Sequence, residues 1–318
     1  RILTEDMKIR TGVDVAVKDG IIASICDSGS HVPAEADQTV DGSRLLWMPG
    51  LTDGHMHTCQ QLLRGKILDA LPMIWTRIML PFESTLTPEA VSLSAALCSL
   101  EMIRGGTTAF LDAGGIHMDQ AAEVYIKSGL RGALTLSTMD DTKVPDSMRA
   151  DAAESISRLN EYYDTWNGSG DGRLSVCYSL RSLISCSEEL IRGVFEAADE
   201  RSAMVEAHMN EYPNEINYHL ERYQIRPVEY LDSLGVLSER FVSAHSILLS
   251  EHEIELMAAH GVKAVHCPFS NCGKGVPNTP RLLESGISVA FGTDGTAHGG
   301  MSLFQEMKIF RSIMNIRY

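Results

Sequence analysis

Pro49-Gly50-Leu51-Thr52-Asp53-Gly54-His55-Met56-His57 is the stretch on which the reading of this chain turns. Along an extended strand, side chains two apart project to the same side, so His55 and His57 point together. An apolar run at 45–51 reads as a strand, which places the two histidines just past its carboxyl end. Two imidazoles converging on one centre are a standard way to hold Zn²⁺ or a similar ion. Such a pair calls for further ligands, and those belong at the ends of neighbouring strands.

Working outward, short apolar runs at 107–112, 131–137, 173–179, 203–208, 241–245, 262–267 and 287–292 read as further strands. Amphipathic stretches at 87–104, 148–163, 187–200, 250–260 and 278–285 lie between them, and a helix over Met301 to Ile316 follows the last. Strands alternating with helices imply parallel βαβ units. Eight such units match the size of a (β/α)8 TIM barrel, whose active site lies at the carboxyl ends of the strands. A doubly wound open sheet would show a glycine-rich phosphate turn after its first strand, where this chain has histidines. Residues 1–44 stand outside the pattern: Val13 to Ile22 alternates and turns at Asp19-Gly20, a β-hairpin signal. The expected organisation is α/β, with a small β domain over 1–44 and the barrel over 45–318.

Composition narrows the class. The 318 residues are 44% hydrophobic and 22% charged, with a formal charge of −15. That charge repels phosphate backbones, so nucleic acid is not an expected partner. No apolar run reaches the length needed to span a bilayer, so no membrane association is expected. The seven scattered cysteines form no disulfide framework and point to a reducing, cytoplasmic setting. Cys267 and Cys272 are too far apart for a zinc knuckle. The chain starts at Arg1 without a methionine and ends at Tyr318, which leaves open whether it is a fragment.

The other strand ends are where further ligands can be sought. One ends Val205-Glu206-Ala207-His208-Met209-Asn210-Glu211, another Val242-Ser243-Ala244-His245, and the last Ala290-Phe291-Gly292-Thr293-Asp294-Gly295. His31, His117, His219, His252 and His260 are read as surface or satisfied core residues. The motifs PGLTDGHMH (49–57), HMNE (208–211), SAH (243–245), HCPFSN (266–271) and GTDG (292–295), in this order, resemble the amidohydrolase superfamily. Within it they resemble the cytosine deaminase-like, guanine and S-adenosylhomocysteine deaminase, and triazine hydrolase branch. The resemblance implies a small β-sandwich built from both chain ends, of which only the N-terminal part is evident here. It implies a metal held by His55, His57, His208 and Asp294. Binuclear members add a lysine at strand four, and no lysine lies between Lys143 and Lys263, so one divalent ion is expected. Zn²⁺ leads, with Fe²⁺ and Mn²⁺ also suited to three imidazoles and a carboxylate.

The implied roles make chemical sense. Asp294 can shuttle a proton, His245 can hydrogen-bond the attacking oxygen, and Glu211 can protonate a ring nitrogen beside the attacked carbon. The last role suits an amino-substituted nitrogen heterocycle and hence deamination. For the substrate, Gln60 and Arg181 resemble residues of guanine deaminases. Glu83 resembles a ribose-binding glutamate of S-adenosylhomocysteine deaminases, Trp75 lines the same pocket, and His298 lies on a loop within reach. A fixed cation at Arg181 favours an oxo-purine or pterin. An adenosine-type nucleoside is the alternative, followed by triazine dechlorination or cyclic-amide hydrolysis. A small heterocyclic molecule is the expected partner, with homodimerisation left open.

Overall fold

A computed structural model describes residues 1–30, 36–67, 74–296 and 299–318. The chain divides into two compact units, Arg1–Gly50 and Leu51–Tyr318. In the first, β1 (Ile2–Leu3) pairs antiparallel with β2 (Ile9–Arg10). The expected hairpin forms between β3 (Val13–Lys18) and β4 (Ile21–Asp27). Asp19 and Gly20 have φ of 53° and 75°, the two left-handed residues that a tight type I′ connection needs.

The second unit holds β5 (Leu51–Met56), β6 (Thr107–Asp112), β7 (Arg131–Leu134), β8 (Leu174–Val176), β9 (Tyr178–Ser182), β10 (Val205–Met209), β11 (Phe241–His245), β12 (Lys263–His266) and β13 (Val289–Phe291). Every pairing among them is parallel. β5 to β8 form one ladder and β9 to β13 the other. β8 and β9 are two halves of one barrel strand broken at Cys177, whose N–H donates to Leu134 O at 2.9 Å. The opposite seam closes through a parallel bridge between Met56 and Asp294 and a 2.9 Å bond from Asp294 N–H to His55 O. Gly292 permits this approach, because a Cβ there would lie 2.7 Å from His55 O. The result is the eight-stranded α/β barrel that the alternation implies.

One strand is displaced from its expected place. The first barrel strand is Leu51–Met56 and not 45–51, where only Trp47 makes a bridge, to Ile2. Pro49 has no N–H to give a ladder, so pairing starts at Leu51, whose N–H donates to Gly106 O at 3.0 Å. The polar Thr52, Asp53 and His55 disguise a true strand, because their side chains serve the seam and the site.

Helices form close to their expected places at Pro88–Gly105, Ala152–Trp166, Glu188–Glu200, Glu251–Ala259, Thr279–Glu284 and Leu303–Arg317. Thr87, Asp151, Ser187 and Ser250 cap their helices by accepting from the N–H three residues on. Each such cap contributes about 1 kcal/mol. Helix Glu188–Glu200 buries Leu190, Ile191, Val194 and Phe195 in a cluster with Tyr178, Leu180, Val205 and Phe241 of the sheet. Inside the barrel, Leu111, Ala133, Cys177, Val242, Val265 and Cys267 pack together beneath the site. All seven cysteines are free thiols.

Candidate metal centre and substrate pocket

The functional side chains stand at the carboxyl ends of β5, β10, β11 and β13. The backbone there is strained: Asn210, His245 and Asp294 have φ of 51°, 72° and 55°, a region that non-glycine residues rarely occupy. Such conformations persist only where surroundings enforce them, and they gather at active sites.

His55, His57, His208 and Asp294 each offer a ligand atom, and these atoms lie within 4.8 Å of one another. His57 Nε2 is 3.0 Å from His208 Nε2 and 3.3 Å from Asp294 Oδ1, and His55 Nε2 is 3.6 Å from Asp294 Oδ1. Four donors around a zinc ion at tetrahedral angles are about 3.3 Å apart. All four residues are buried, and His55 Nε2 has no hydrogen-bond partner. A buried imidazole nitrogen left bare beside three other donors fits a metal ion. Burial opposes a charge on His55, but Glu206 and Asp294 outweigh it and push its pKa up to about 10. The site therefore calls for positive charge.

A second layer fixes the first. His55 Nδ1–H donates to Glu206 at 2.6 Å, which leaves Nε2 as the free lone pair. His245 Nδ1–H donates to Asn271 Oδ1 at 2.9 Å, and Asn271 Nδ2 donates to His266 Nδ1 at 2.9 Å. His245 thus turns a bare Nε2 toward the site, 3.6 Å from Glu211 and 3.8 Å from Asp294. Burial drives its pKa down to about 4, so it is neutral. Asp53 accepts from Thr293 N–H at 3.0 Å and Thr293 Oγ1 at 2.6 Å, tying β5 to the loop that carries Asp294.

Burial would raise the carboxyl of Asp294, but the Lys274 ammonium, with hydrogen bonds from His55 and His57, holds it well below its ordinary range. Burial likewise opposes ionisation of Glu211, and the adjacent Lys274 ammonium reverses it, so Glu211 is an anion at rest. Lys274 is central here: its Nζ is 2.6 Å from Glu211 Oε1, 2.8 Å from Ser270 Oγ and 3.6 Å from Asp294 Oδ2. Ser270 Oγ also donates to Asp294. Behind Glu211 sits Glu215, which accepts the Glu211 N–H at 3.0 Å and whose other oxygen is buried without a partner. Burial pushes the Glu215 carboxyl up to about 8.

One pocket joins the predicted residues. His57, His208, Glu211 and Asp294 line it together with Gln60, Trp75 and Arg181. Trp75 opens a wide helical turn, Trp75–Met79, in which Leu80 N–H reaches back to Trp75 O, a form common at functional sites. Glu83 lies in contact with Gln60 and Arg181 rather than on the pocket wall. His298 lies outside the described residues. Lys274, Glu206, Glu215, Ser270 and Asn271 carry parts of the site to which the sequence alone assigns no role. Glu206 has a signal, being two residues before His208 on the same strand and so on the same face. Lys274 has none, since it sits on a loop with no periodicity.

A parallel barrel with three histidines and an aspartate converging at its strand ends is the architecture of a metal-dependent hydrolase. The chain belongs to the amidohydrolase family, whose pattern matches residues 46–315. It is 36% identical over 312 residues to a 5′-deoxyadenosine deaminase of Methanothermobacter thermautotrophicus, covering 94% of this chain and 69% of that protein. It is 32% identical over 325 residues to 5-methylthioadenosine/S-adenosylhomocysteine deaminase 2 of Archaeoglobus fulgidus, covering 98% of this chain and 76% of the relative. A solved adenosine deaminase of Xanthomonas campestris with bound zinc superposes with a TM-score of 0.79 at 26% identity, over 96% of this chain and 70% of that one. The protein is thus a hydrolase of C–N bonds, a metal-dependent deaminase.

Proposed function

We propose that the protein deaminates the adenine ring of a purine nucleoside modified at its 5′ position, the class that includes 5′-deoxyadenosine and 5-methylthioadenosine. The expectation of an oxo-purine or pterin rested on Arg181 as an uncompensated cation. The observation against it is the Glu83 carboxylate, which accepts from both terminal nitrogens of Arg181 at 2.9 and 3.0 Å. The pair is neutral as a unit, and the electrostatic reason for an acidic or carbonyl-bearing base is gone. The similarity to nucleoside deaminases supports the same reading.

His55, His57, His208 and Asp294 would hold a divalent ion, zinc in our reading, which would supply Lewis acidity and lower the pKa of a bound water toward neutrality. The residues supply the proton traffic. His245, with its Nε2 lone pair facing the site, accepts a hydrogen bond from the attacking water and fixes its direction. Glu211 starts as a carboxylate, so it first takes a proton from that water and then delivers it to the ring nitrogen beside the amino-bearing carbon. Asp294 takes the second proton and gives it to the departing amine. Water is consumed, the C–N bond breaks, and ammonia and the oxo-purine leave.

The test is ammonia release by the zinc-loaded protein across 5′-deoxyadenosine, 5-methylthioadenosine, S-adenosylhomocysteine, guanine, a pterin and an amino-triazine. Turnover of the adenine nucleosides is expected to exceed that of the others by at least about 100-fold, a floor below the roughly 10⁴–10⁵-fold by which sites with unpaired buried polar groups reject a wrong substrate. Guanine or pterin as the best substrate would overturn the assignment.

A further inference from the structure

Asp294 gives its two oxygens to two different sets of groups. Oδ1 joins the metal ligands, 3.3 Å from His57 Nε2 and 3.6 Å from His55 Nε2. Oδ2 lies 3.8 Å from His245 Nε2 and 3.6 Å from Lys274 Nζ. Glu211, His245 and Asp294 form a second set, whose donor atoms lie within 4.8 Å of one another. His245 Nε2 is 3.6 Å from Glu211 Oε1, and it is buried without a hydrogen-bond partner. A bare buried lone pair beside two carboxylates is a donor set for a further cation. Two-metal sites hold their ions about 3.5–4 Å apart, and a carboxylate with one oxygen in each set can join such a pair.

The further cation belongs to the chain itself. Lys274 Nζ stands 2.6 Å from Glu211 Oε1, 2.8 Å from Ser270 Oγ and 5.5 Å from the centre of the Tyr212 ring, and the side chain is only 3% exposed. The turn that follows the short helix Pro268–Asn271 fixes it. The Lys274 N–H donates to Asn271 O at 2.8 Å, and Asn271 Oδ1 accepts from His245 Nδ1–H at 2.9 Å. One turn thus sets both the ammonium and the imidazole lone pair. Resting on the reading of His55, His57, His208 and Asp294 as the metal ligands, we propose that Lys274 occupies the place of a second metal ion and keeps the centre mononuclear. Its ammonium balances the charge of the two carboxylates as an ion would. Being a point charge that makes no coordinate bond, it leaves Glu211 free to carry protons instead of holding it as a ligand.

The experiment titrates Co²⁺ alone into the metal-free protein and follows it by equilibrium dialysis and electron paramagnetic resonance. Wild type is expected to take one ion at this centre, with the signal of an isolated ion. Lys274→Ala is expected to take a second at least about 100-fold more tightly than wild type does, the scale of removing one unit charge from beside two carboxylates. The two ions then couple through Asp294, and the isolated signal is lost. Lys274→Arg keeps the charge and is expected to stay at one ion. Adding Glu211→Gln to Lys274→Ala is expected to abolish the coupled ion, which separates it from ions bound elsewhere. A coupled pair in wild type overturns the proposal, and so does a Lys274→Ala protein that folds and takes a single ion. A Lys274→Ala protein that stays unfolded at every Co²⁺ concentration overturns it as well, because an ion able to replace the ammonium would restore the fold. Wild type that takes no ion fails the metal-centre assignment itself, a result distinct from each of these.

Discussion

Replacing Glu206 tests how much of the metal site lies behind the ligands. Its carboxylate receives the Nδ1–H of His55 at 2.6 Å, and both side chains are at most 1% exposed. That contact does two things: it fixes the tautomer, leaving Nε2 bare for the metal, and it places a negative charge behind the imidazole. Glu206→Gln keeps an acceptor and loses the charge, and Glu206→Leu loses both. Carboxylates behind metal-bound histidines are worth 10–100-fold in metal affinity, which is about 1.4–2.7 kcal/mol. We therefore expect about tenfold weaker binding for Gln and about 100-fold for Leu. With water excluded, Gln cannot recover its loss by hydration. The assay is competition for zinc against a chelator of known affinity at fixed pH, with circular dichroism confirming the fold. If both variants retain zinc as wild type does, the contact between Glu206 and His55 is structural, and His55 owes neither its tautomer nor its metal affinity to that carboxylate.

Further expectations concern the groups around the water. Asp294→Asn is expected to cost at least about 1,000-fold in turnover and to weaken zinc retention, since it takes the charge from a ligand and, in the proposed mechanism, removes the proton carrier; steady-state ammonia release and metal analysis read the two losses. Lys274→Met leaves Glu211 and Asp294 facing each other without a cation. Breaking a buried pair in this way costs about 3–5 kcal/mol, which denaturant titration would detect, while Lys274→Arg is expected to restore most of it. Glu215 titrates at about 8 when folded against an ordinary glutamate value of 4.5, so between those values the native state holds the extra proton and stability falls as pH rises. Glu215→Gln is expected to flatten the fall in Tm between pH 5 and 9, measured by calorimetry; an unchanged slope would show that Glu215 is ionised throughout.

The barrel is legible in the sequence because most of its strands are largely buried and read as apolar runs, with helices between them, several of them capped. Phe241–His245 and Thr107–Asp112 occur where the pattern places them. Leu51–Met56 is hidden by its own polar residues, which answer to a seam that closes with residues more than two hundred positions away. The helices Met118–Ser128, Pro213–Tyr223 and Pro227–Ser233 also escape the pattern. The latter two begin at prolines, and helix 118–128 starts from His117 in a left-handed conformation with no side-chain cap. Among site residues, the ligands announce themselves by position at strand ends. Lys274 and Glu83 do not, because what defines them is a partner distant in sequence: 63 positions separate Lys274 from Glu211, and 98 separate Glu83 from Arg181.

Those distant partners change the chemistry as well as the geometry. A residue's charge at a site is a property of the cluster, and Arg181 read alone favours a different substrate from Arg181 read with Glu83. The same holds for His55 and Asp294, which are metal ligands and also the two sides of the closing seam, joined by the Asp294 N–H on His55 O and braced by Asp53 on Thr293. An ion bound to both therefore adds a link across the first and last strands. Because it binds only the folded arrangement, its binding energy is also stability of the closed barrel. The polar residues of 51–57 that hide a strand from the hydrophobic pattern are thus the ones through which the barrel closes and the metal is held.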